Sequence, residues 1–191
     1  MERMIGWLKT SEQKMLIWVN RRPSGGKRHR FLNKWLSTVT HMGGATFTLA
    51  TALLYALLAP APWSLTGWQC LTAVIISHLP VAIVKRKFKR LRPYQALPGV
   101  NTGHNPLVDS SFPSGHTTAI FAWLVPILLT SGVWLSLLVP IALIIGVSVG
   151  WSRMYLGLHY PSDVAAGALI GSVTALAVNY SWVGSAAAGI N

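Results

Sequence analysis

Acidic side chains are scarce in this 191-residue chain, which has four against sixteen Lys and Arg. Two long stretches, residues 35–84 and 164–191, carry no Lys, Arg, Asp or Glu at all. Only 10% of the residues are charged, whereas a soluble domain carries about a quarter. A surface so poor in charge is not built for water alone. Cysteine is almost missing too: Cys70 stands alone in an apolar stretch, so no internal disulfide forms and packing is its expected role. The first 34 residues lack the apolar core of a cleavable secretion signal, and none is expected. Nothing in the sequence points to a cofactor.

What is abundant is apolar: 52% of residues are hydrophobic and mean hydropathy is +0.46. The length suits one domain. A helix needs about 20 mainly apolar residues to cross a bilayer, and five stretches qualify. They run from about Trp35 to Ala59, Thr66 to Val84, Ser114 to Ser131, Val133 to Trp151 and Ser162 to Tyr180. The expectation is an all-α, polytopic transmembrane helical bundle of about five spans. Pro80, Pro126 and Pro140 favour kinks inside spans, while Gly43-Gly44 and the Gly167/Gly171 pair suit close helix packing. Residues 1–22 mix apolar Met15, Leu16, Trp18 and Val19 with charged neighbours and read as an amphipathic helix lying in the interface. Residues 23–30 read as a turn or linker. Two units follow: a basic interfacial segment, 1–34, and a transmembrane domain, 35–191.

The basic residues fall in three places: nine within residues 1–34, six within 85–92, and Arg153. Basic clusters can bind nucleic acid, but clusters flanking apolar spans more simply meet anionic lipid headgroups, and no nucleic-acid partner is expected. With five spans, the N-terminal segment and the 85–113 and 152–161 loops share one side. Every Lys and Arg lies there, the N-terminal ones in the interface. The positive-inside rule places that side in the cytoplasm.

The same side collects polar groups fit for phosphate chemistry. Phosphoryl transfer asks mainly for positioning and charge neutralisation. Lys85, Arg92 and Arg153 offer three cations, with arginine forks matched to phosphate oxygens. Gly115 permits close backbone approach, and Ser114 can cap a helix whose free amide hydrogens face an anion. Two histidines complete the set. A neutral imidazole can attack phosphorus if its other nitrogen is held by an acceptor, and Asp163, four residues after His159, is the nearby carboxylate by sequence. His116 is placed to protonate the leaving oxygen and then activate water.

These residues resemble the type 2 phosphatidic acid phosphatase family. Lys85, Arg92 and Pro93 match its Lys, six residues, Arg-Pro element. Residues 113–116 match Pro-Ser-Gly-His, and Ser152, Arg153, His159 and Asp163 match Ser-Arg, five residues, His, three residues, Asp. The resemblance implies a helical bundle with no metal requirement. It implies His159 as the nucleophile that forms a phosphohistidine, Asp163 as its orienting group and His116 as acid and base. Lys85, Arg92, Ser114, Gly115 and Arg153 would bind phosphate. The implied substrates are phosphatidylglycerophosphate, phosphatidic acid and undecaprenyl pyrophosphate, in a bacterial cell membrane. Two other readings use the same sequence: a phosphotransferase passing the phosphate to another lipid, and a non-catalytic lipid-binding protein.

The remaining groups receive plainer readings. Arg86, Lys87, Lys89 and Arg90 form a headgroup-facing basic surface. His41 and His78 are expected as buried, hydrogen-bonded histidines, and His29 as part of a solvated run. The 94–112 loop, with Asn101, His104, Asn105 and Asp109, crosses toward the phosphate residues and is expected to shape substrate entry. Most tryptophans lie near span ends, as an interfacial belt requires; Trp123 is mid-span. Oligomeric state is not legible.

Overall fold

A computed structural model describes residues 2–21, 27–103 and 106–187. Among these residues the chain is all-α. The helices are α1 (Glu2–Asn20), α2 (Lys27–Val39), α3 (Ala45–Leu58), α4 (Trp63–Phe88), a single turn α5 (Pro93–Ala96), α6 (Gly115–Thr130), α7 (Leu135–Tyr155) and α8 (Pro161–Ala187). Short 3-10 turns cover Thr40–Gly43 and Gly132–Trp134.

Three helical stretches, built on α4, α7 and α8, are long and apolar enough to cross a membrane, and a bent α2–α3 pair makes a fourth. The protein is a multi-pass membrane protein. Its outer faces agree: Leu57, Leu79, Ile83, Ile144 and Val173 all stand exposed on these helices, a contiguous apolar exterior that water would not tolerate. α6 is apolar but has only 16 residues.

Two expectations need correction. The single span from Trp35 to Ala59 is broken, and its halves meet at 58°. The break falls at Gly43-Gly44, not at a proline, and Gly44 is extended, with φ −73° and ψ 147°. The reason is close packing: a Cβ on Gly43 would sit 2.6 Å from the His116 carbonyl oxygen. Meanwhile α4, α6 and α7 run as continuous helices through Pro80, Pro126 and Pro140. The second correction concerns residues 27–30, which are helical and open α2 instead of belonging to a linker.

α6 lies at the centre, packed on α4, α7 and α8, with α3 closing over α4. The α6–α8 crossing depends on small residues, since a Cβ on Gly167 would lie 2.5 Å from the Ser114 carbonyl oxygen, and one on Gly171 2.3 Å from that of Thr118. Without these glycines the backbones could not approach so closely. The main apolar core joins Ile120 and Leu124 of α6 to Val149, Met154 and Tyr155 of α7. Leu16 and Val19 of α1, with Leu36 and Val39 of α2, are buried in that same core. α1 is therefore seated on α7 and α8 by its apolar stripe, while Trp7 and Trp18 remain exposed.

Candidate active site

One end of the bundle gathers the C-terminal ends of α4 and α7 and the N-terminal ends of α6 and α8. The α5 turn, residues 97–103 and 106–113, and the Thr40–Gly43 turn lie at this end. The connection from α7 to α8 is short, and the amides of Leu158 and His159 donate back to the Arg153 carbonyl at 3.0 and 3.3 Å. Arg153 and His159 are thereby fixed to one tight corner. Asp163 accepts from the Tyr160 amide at 2.7 Å through Oδ2, an acidic cap in the first turn of α8. Its own carbonyl accepts from the Ser114 amide at 3.0 Å, which ties the start of α6 to the start of α8. Ser114 caps α6, its Oγ accepting from the Thr117 amide at 3.4 Å. A Cβ on Gly115 would meet nothing within 4 Å, so the first turn of α6 opens onto free space.

His159 is buried, and its two nitrogens face different partners. Nδ1 lies 2.6 Å from the Ser111 carbonyl oxygen. A carbonyl only accepts, so Nδ1 carries the proton and neutral His159 keeps a lone pair on Nε2. Arg92 Nη1 donates to Nε2 at 3.2 Å. Asp163, the acceptor expected from sequence, has Oδ2 3.7 Å from Nδ1; its Oδ1 instead takes Arg90 Nη1 at 2.8 Å. Burial is the largest influence on His159 and pushes its pKa down. The cations Arg153 and Arg92 push the same way and Asp163 opposes them, leaving it at about 4.

Arg92 is fully buried and donates to the Asp109 carbonyl at 2.8 Å, the Leu158 carbonyl at 3.0 Å and Asp109 Oδ1 at 2.6 Å. The other Asp109 oxygen pairs with Lys85 Nζ. One carboxylate thus spans two of the three expected phosphate-binding cations. Burial raises the Asp109 pKa, but Lys85 and Arg92 outweigh it and hold the group below the usual carboxylate range. Arg153 is different. It is buried, gives Nη1 to Thr40 Oγ1 at 2.9 Å, and leaves Nε and Nη2 with no partner among the described residues.

His116, half-buried one residue into α6, lies within electrostatic reach of Arg153, His159, His41 and Lys85. All eight residues singled out from sequence therefore belong to this end of the bundle. Five others belong to it that were not assigned to the phosphate site: Asp109, expected only in the loop that shapes substrate entry, with Ser111, Arg90, Thr40 and Glu12. Arg90 was read as headgroup-facing, yet it pairs with Asp163 and Glu12 and lies 4.1 Å over the Tyr160 ring. His41 is exposed in the Thr40–Gly43 turn beside the site, not buried in a span. His78 fits its reading, half-buried with Nδ1 2.8 Å from the Val74 carbonyl oxygen. His104, Asn105 and the His29 side chain lie outside the described residues. Asn101 is linked to α1, its amide donating to Asn20 Oδ1 at 2.7 Å. Among the described residues no three His, Cys, Asp or Glu side chains are grouped to hold a metal ion.

With this geometry in view, comparison with known proteins is decisive on ancestry. Residues 66–185 match the PAP2 superfamily model. The chain belongs to the PAP2 superfamily, a family of membrane lipid phosphatases. The undecaprenyl-diphosphatase of Sulfolobus acidocaldarius is 35% identical over 106 residues, which are 56% of this chain and 50% of that protein. The decaprenylphosphoryl-5-phosphoribose phosphatase of Mycobacterium tuberculosis is 31% identical over 134 residues, 69% of each chain. Several of the curated relatives that match are longer, and this chain spans only 50–61% of their length. In fold, the chain superposes on the PAP2-type phosphatidylglycerolphosphate phosphatase of Bacillus subtilis with a TM-score of 0.73 at 22% identity, covering 90% of this chain and 84% of that one.

Proposed function

We propose that this chain hydrolyses phosphate from a lipid through a phosphohistidine on His159. His116 acts as acid and base, and Lys85, Arg92, Ser114, Gly115 and Arg153 hold the phosphoryl group. The observation that carries this reading is the buried Arg153 guanidinium with two unpartnered nitrogens. A buried, unpaired cation costs several kcal/mol, and a phosphate with three free oxygens is the ligand that offsets it.

The reaction follows from the atoms. Nε2 of His159 attacks phosphorus, forming the P–N bond as the P–O bond to the lipid breaks, and His116 gives its proton to the leaving oxygen. Lys85, Arg92 and Arg153 neutralise the charge spread over the equatorial oxygens. The ring becomes cationic, and the Ser111 carbonyl and the Asp163 carboxylate stabilise it. Water then attacks phosphorus and passes a proton to His116 as the P–N bond breaks, which returns the electron pair to Nε2, leaves His159 neutral and releases phosphate. No step calls for a metal.

Related proteins are named for undecaprenyl diphosphate, decaprenylphosphoryl-5-phosphoribose and phosphatidylglycerolphosphate. These supply the substrate class, a lipid ending in a phosphate or diphosphate. In the membrane we take α2–α3 as one bent span and α6 as a short fifth, with residues 1–34 in the headgroup layer on the active-site side. The positive-inside rule favours the cytoplasmic face of a bacterial cell membrane, and a C-terminal fluorescent reporter that matures only in the cytoplasm should then stay dark. Activity is tested by offering phosphatidylglycerophosphate, phosphatidic acid and undecaprenyl pyrophosphate to the purified protein in detergent with EDTA. Release of phosphate from any of them supports the reading. No release by folded protein, or labelled phosphate passing to a second lipid, overturns hydrolysis.

A further inference from the structure

The break in the first span at Gly43-Gly44 leaves residues 40–43 as a 3-10 turn that rests on α6 and α7. The turn is pinned on both sides. Val39, just before it, is buried in the main core, and Gly43 at its close packs on the His116 carbonyl and on Val149. Thr40 is thereby held, buried, against the C-terminal end of α7. Its Oγ1 accepts from Arg153 Nη1 at 2.9 Å, across 113 residues of sequence. Among the described residues this is the one hydrogen bond that the Arg153 guanidinium makes.

Which nitrogen Thr40 takes decides what is left. In a guanidinium, the N–H bonds of Nε and of Nη2 run parallel along one edge and match two oxygens of a single phosphate. Nη1 stands off that edge. The two nitrogens of Arg153 without a partner among the described residues are Nε and Nη2, so the whole fork stays free. We propose that Thr40 is a positioning residue for phosphate binding: its hydroxyl holds Nη1 of Arg153, so that the buried guanidinium presents Nε and Nη2 together to the phosphoryl group. The inference rests on Arg153 binding phosphate, as proposed above. Thr40 lies outside residues 66–185, the stretch matched by the family model.

A hydroxyl suits this task better than a carboxylate. A carboxylate would aim the guanidinium but also neutralise it, and an arriving phosphate would then have to compete for the charge. Arg92 is in that condition, with Nη2 on Asp109. Arg153 is not: among the described residues no carboxylate lies within ion-pair distance of it. Thr40 supplies direction and leaves the positive charge whole. A long side chain fixed beforehand also loses less freedom when its ligand arrives, which favours binding. The bend in the first span therefore serves the site, because it carries the one acceptor that sets Arg153 into the bundle end.

Protection by inorganic phosphate reads this without turnover. The Tm of the full chain in detergent is followed as phosphate is added, and the concentration needed for a given rise scales with Kd, whatever the stability of the phosphate-free protein. Thr40→Val keeps the side-chain shape and removes the acceptor. It should need about tenfold more phosphate for the same rise, as the loss of one hydrogen bond to a charged group implies. Thr40→Ser keeps the hydroxyl and should respond as the wild type does. If Thr40→Val responds at the wild-type concentration, the proposal is wrong. It is equally wrong if Thr40→Ser is as weak as Thr40→Val, because packing of the methyl group and not the hydroxyl would then set the affinity. Should Thr40→Val fail to fold, Thr40→Ala also lacks the hydroxyl and is read by the same criterion. Phosphate that leaves the wild-type Tm unmoved removes the phosphate site and this proposal together. Phosphate that protects the wild type and Thr40→Val alike removes this proposal only.

Discussion

His159 directs its Nδ1 proton at the backbone carbonyl of Ser111, 2.6 Å away, and the ring is sealed from solvent. A carbonyl holds the neutral tautomer as firmly as a carboxylate would, but does far less to favour the imidazolium. Burial, reinforced by Arg153 and Arg92, accordingly holds His159 at about 4 in place of the ordinary 6.5.

That depression makes the folded protein acid-sensitive. Between pH 6.5 and about 4 the unfolded chain binds a proton that the folded chain refuses, so stability rises with pH across this window. The contribution is fully present above pH 6.5 and lost as pH falls toward 4. The gap between those values limits it to about 3 kcal/mol. Thermal unfolding in detergent between pH 7 and pH 4.5 should show the wild type losing Tm more steeply than His159→Gln. Parallel curves would contradict the assignment.

Asp109 bridges Lys85 and Arg92, two cations assigned above to the phosphoryl group. An incoming phosphate has to take those contacts from it. Asp109→Asn removes the competing charge while keeping the side-chain shape. Inorganic phosphate and vanadate should then inhibit the variant at concentrations about tenfold lower, equivalent to about 1.4 kcal/mol. Weaker inhibition would instead mean that Asp109 serves to aim Arg92.

Gly43 packs against the His116 carbonyl with no room for a methyl group, since a Cβ there would lie 2.6 Å from that oxygen and 2.8 Å from Val149 Cγ1. Gly43→Ala must push the first turn of α6 and carry His116 with it. Overpacking of this kind costs about 1–3 kcal/mol. A displaced acid should also lower kcat by about tenfold or more, because proton transfer depends on hydrogen-bond reach. Tm and kcat measured on the same preparation check both. A variant with wild-type kcat would show that the turn yields without moving His116.

How much of this was legible in the sequence depended on how local each signal was. Apolar length and charge-free runs marked the helices because membrane spans are written as continuous stretches. The spacing from Lys85 to Arg92, and from Arg153 through His159 to Asp163, was readable because each set falls within a short stretch of sequence, at the end of α4 and at the corner between α7 and α8. The break at Gly43-Gly44 was not readable, since its cause is the backbone of His116, distant in sequence. Ser111 contributes a carbonyl, and no residue type encodes a carbonyl's direction. Asp109 and Glu12 reach the site only through contacts made by the folded chain. Arg90 offered one faint signal, a cation beyond the end of α4 where the headgroup-facing pattern of that helix no longer applies.

Arg153 offers the sharpest contrast between stability and activity. Its guanidinium is buried with Nε and Nη2 unpartnered, and only Nη1 is bonded, to Thr40. Leaving a cation in this condition is costly, and replacing buried charge by an apolar side chain of similar size is often stabilising by about 1–4 kcal/mol. The lost bond to Thr40 subtracts about 1 kcal/mol. Arg153→Met should therefore melt at or above the wild-type temperature in phosphate-free detergent, while kcat/KM falls by about a thousandfold, as loss of a transition-state cation implies. Added phosphate should raise the Tm of the wild type and leave the variant where it was. A variant that melts well below the wild type, yet gains stability from phosphate, would show that Arg153 is a structural cation and that the phosphoryl group is held without it.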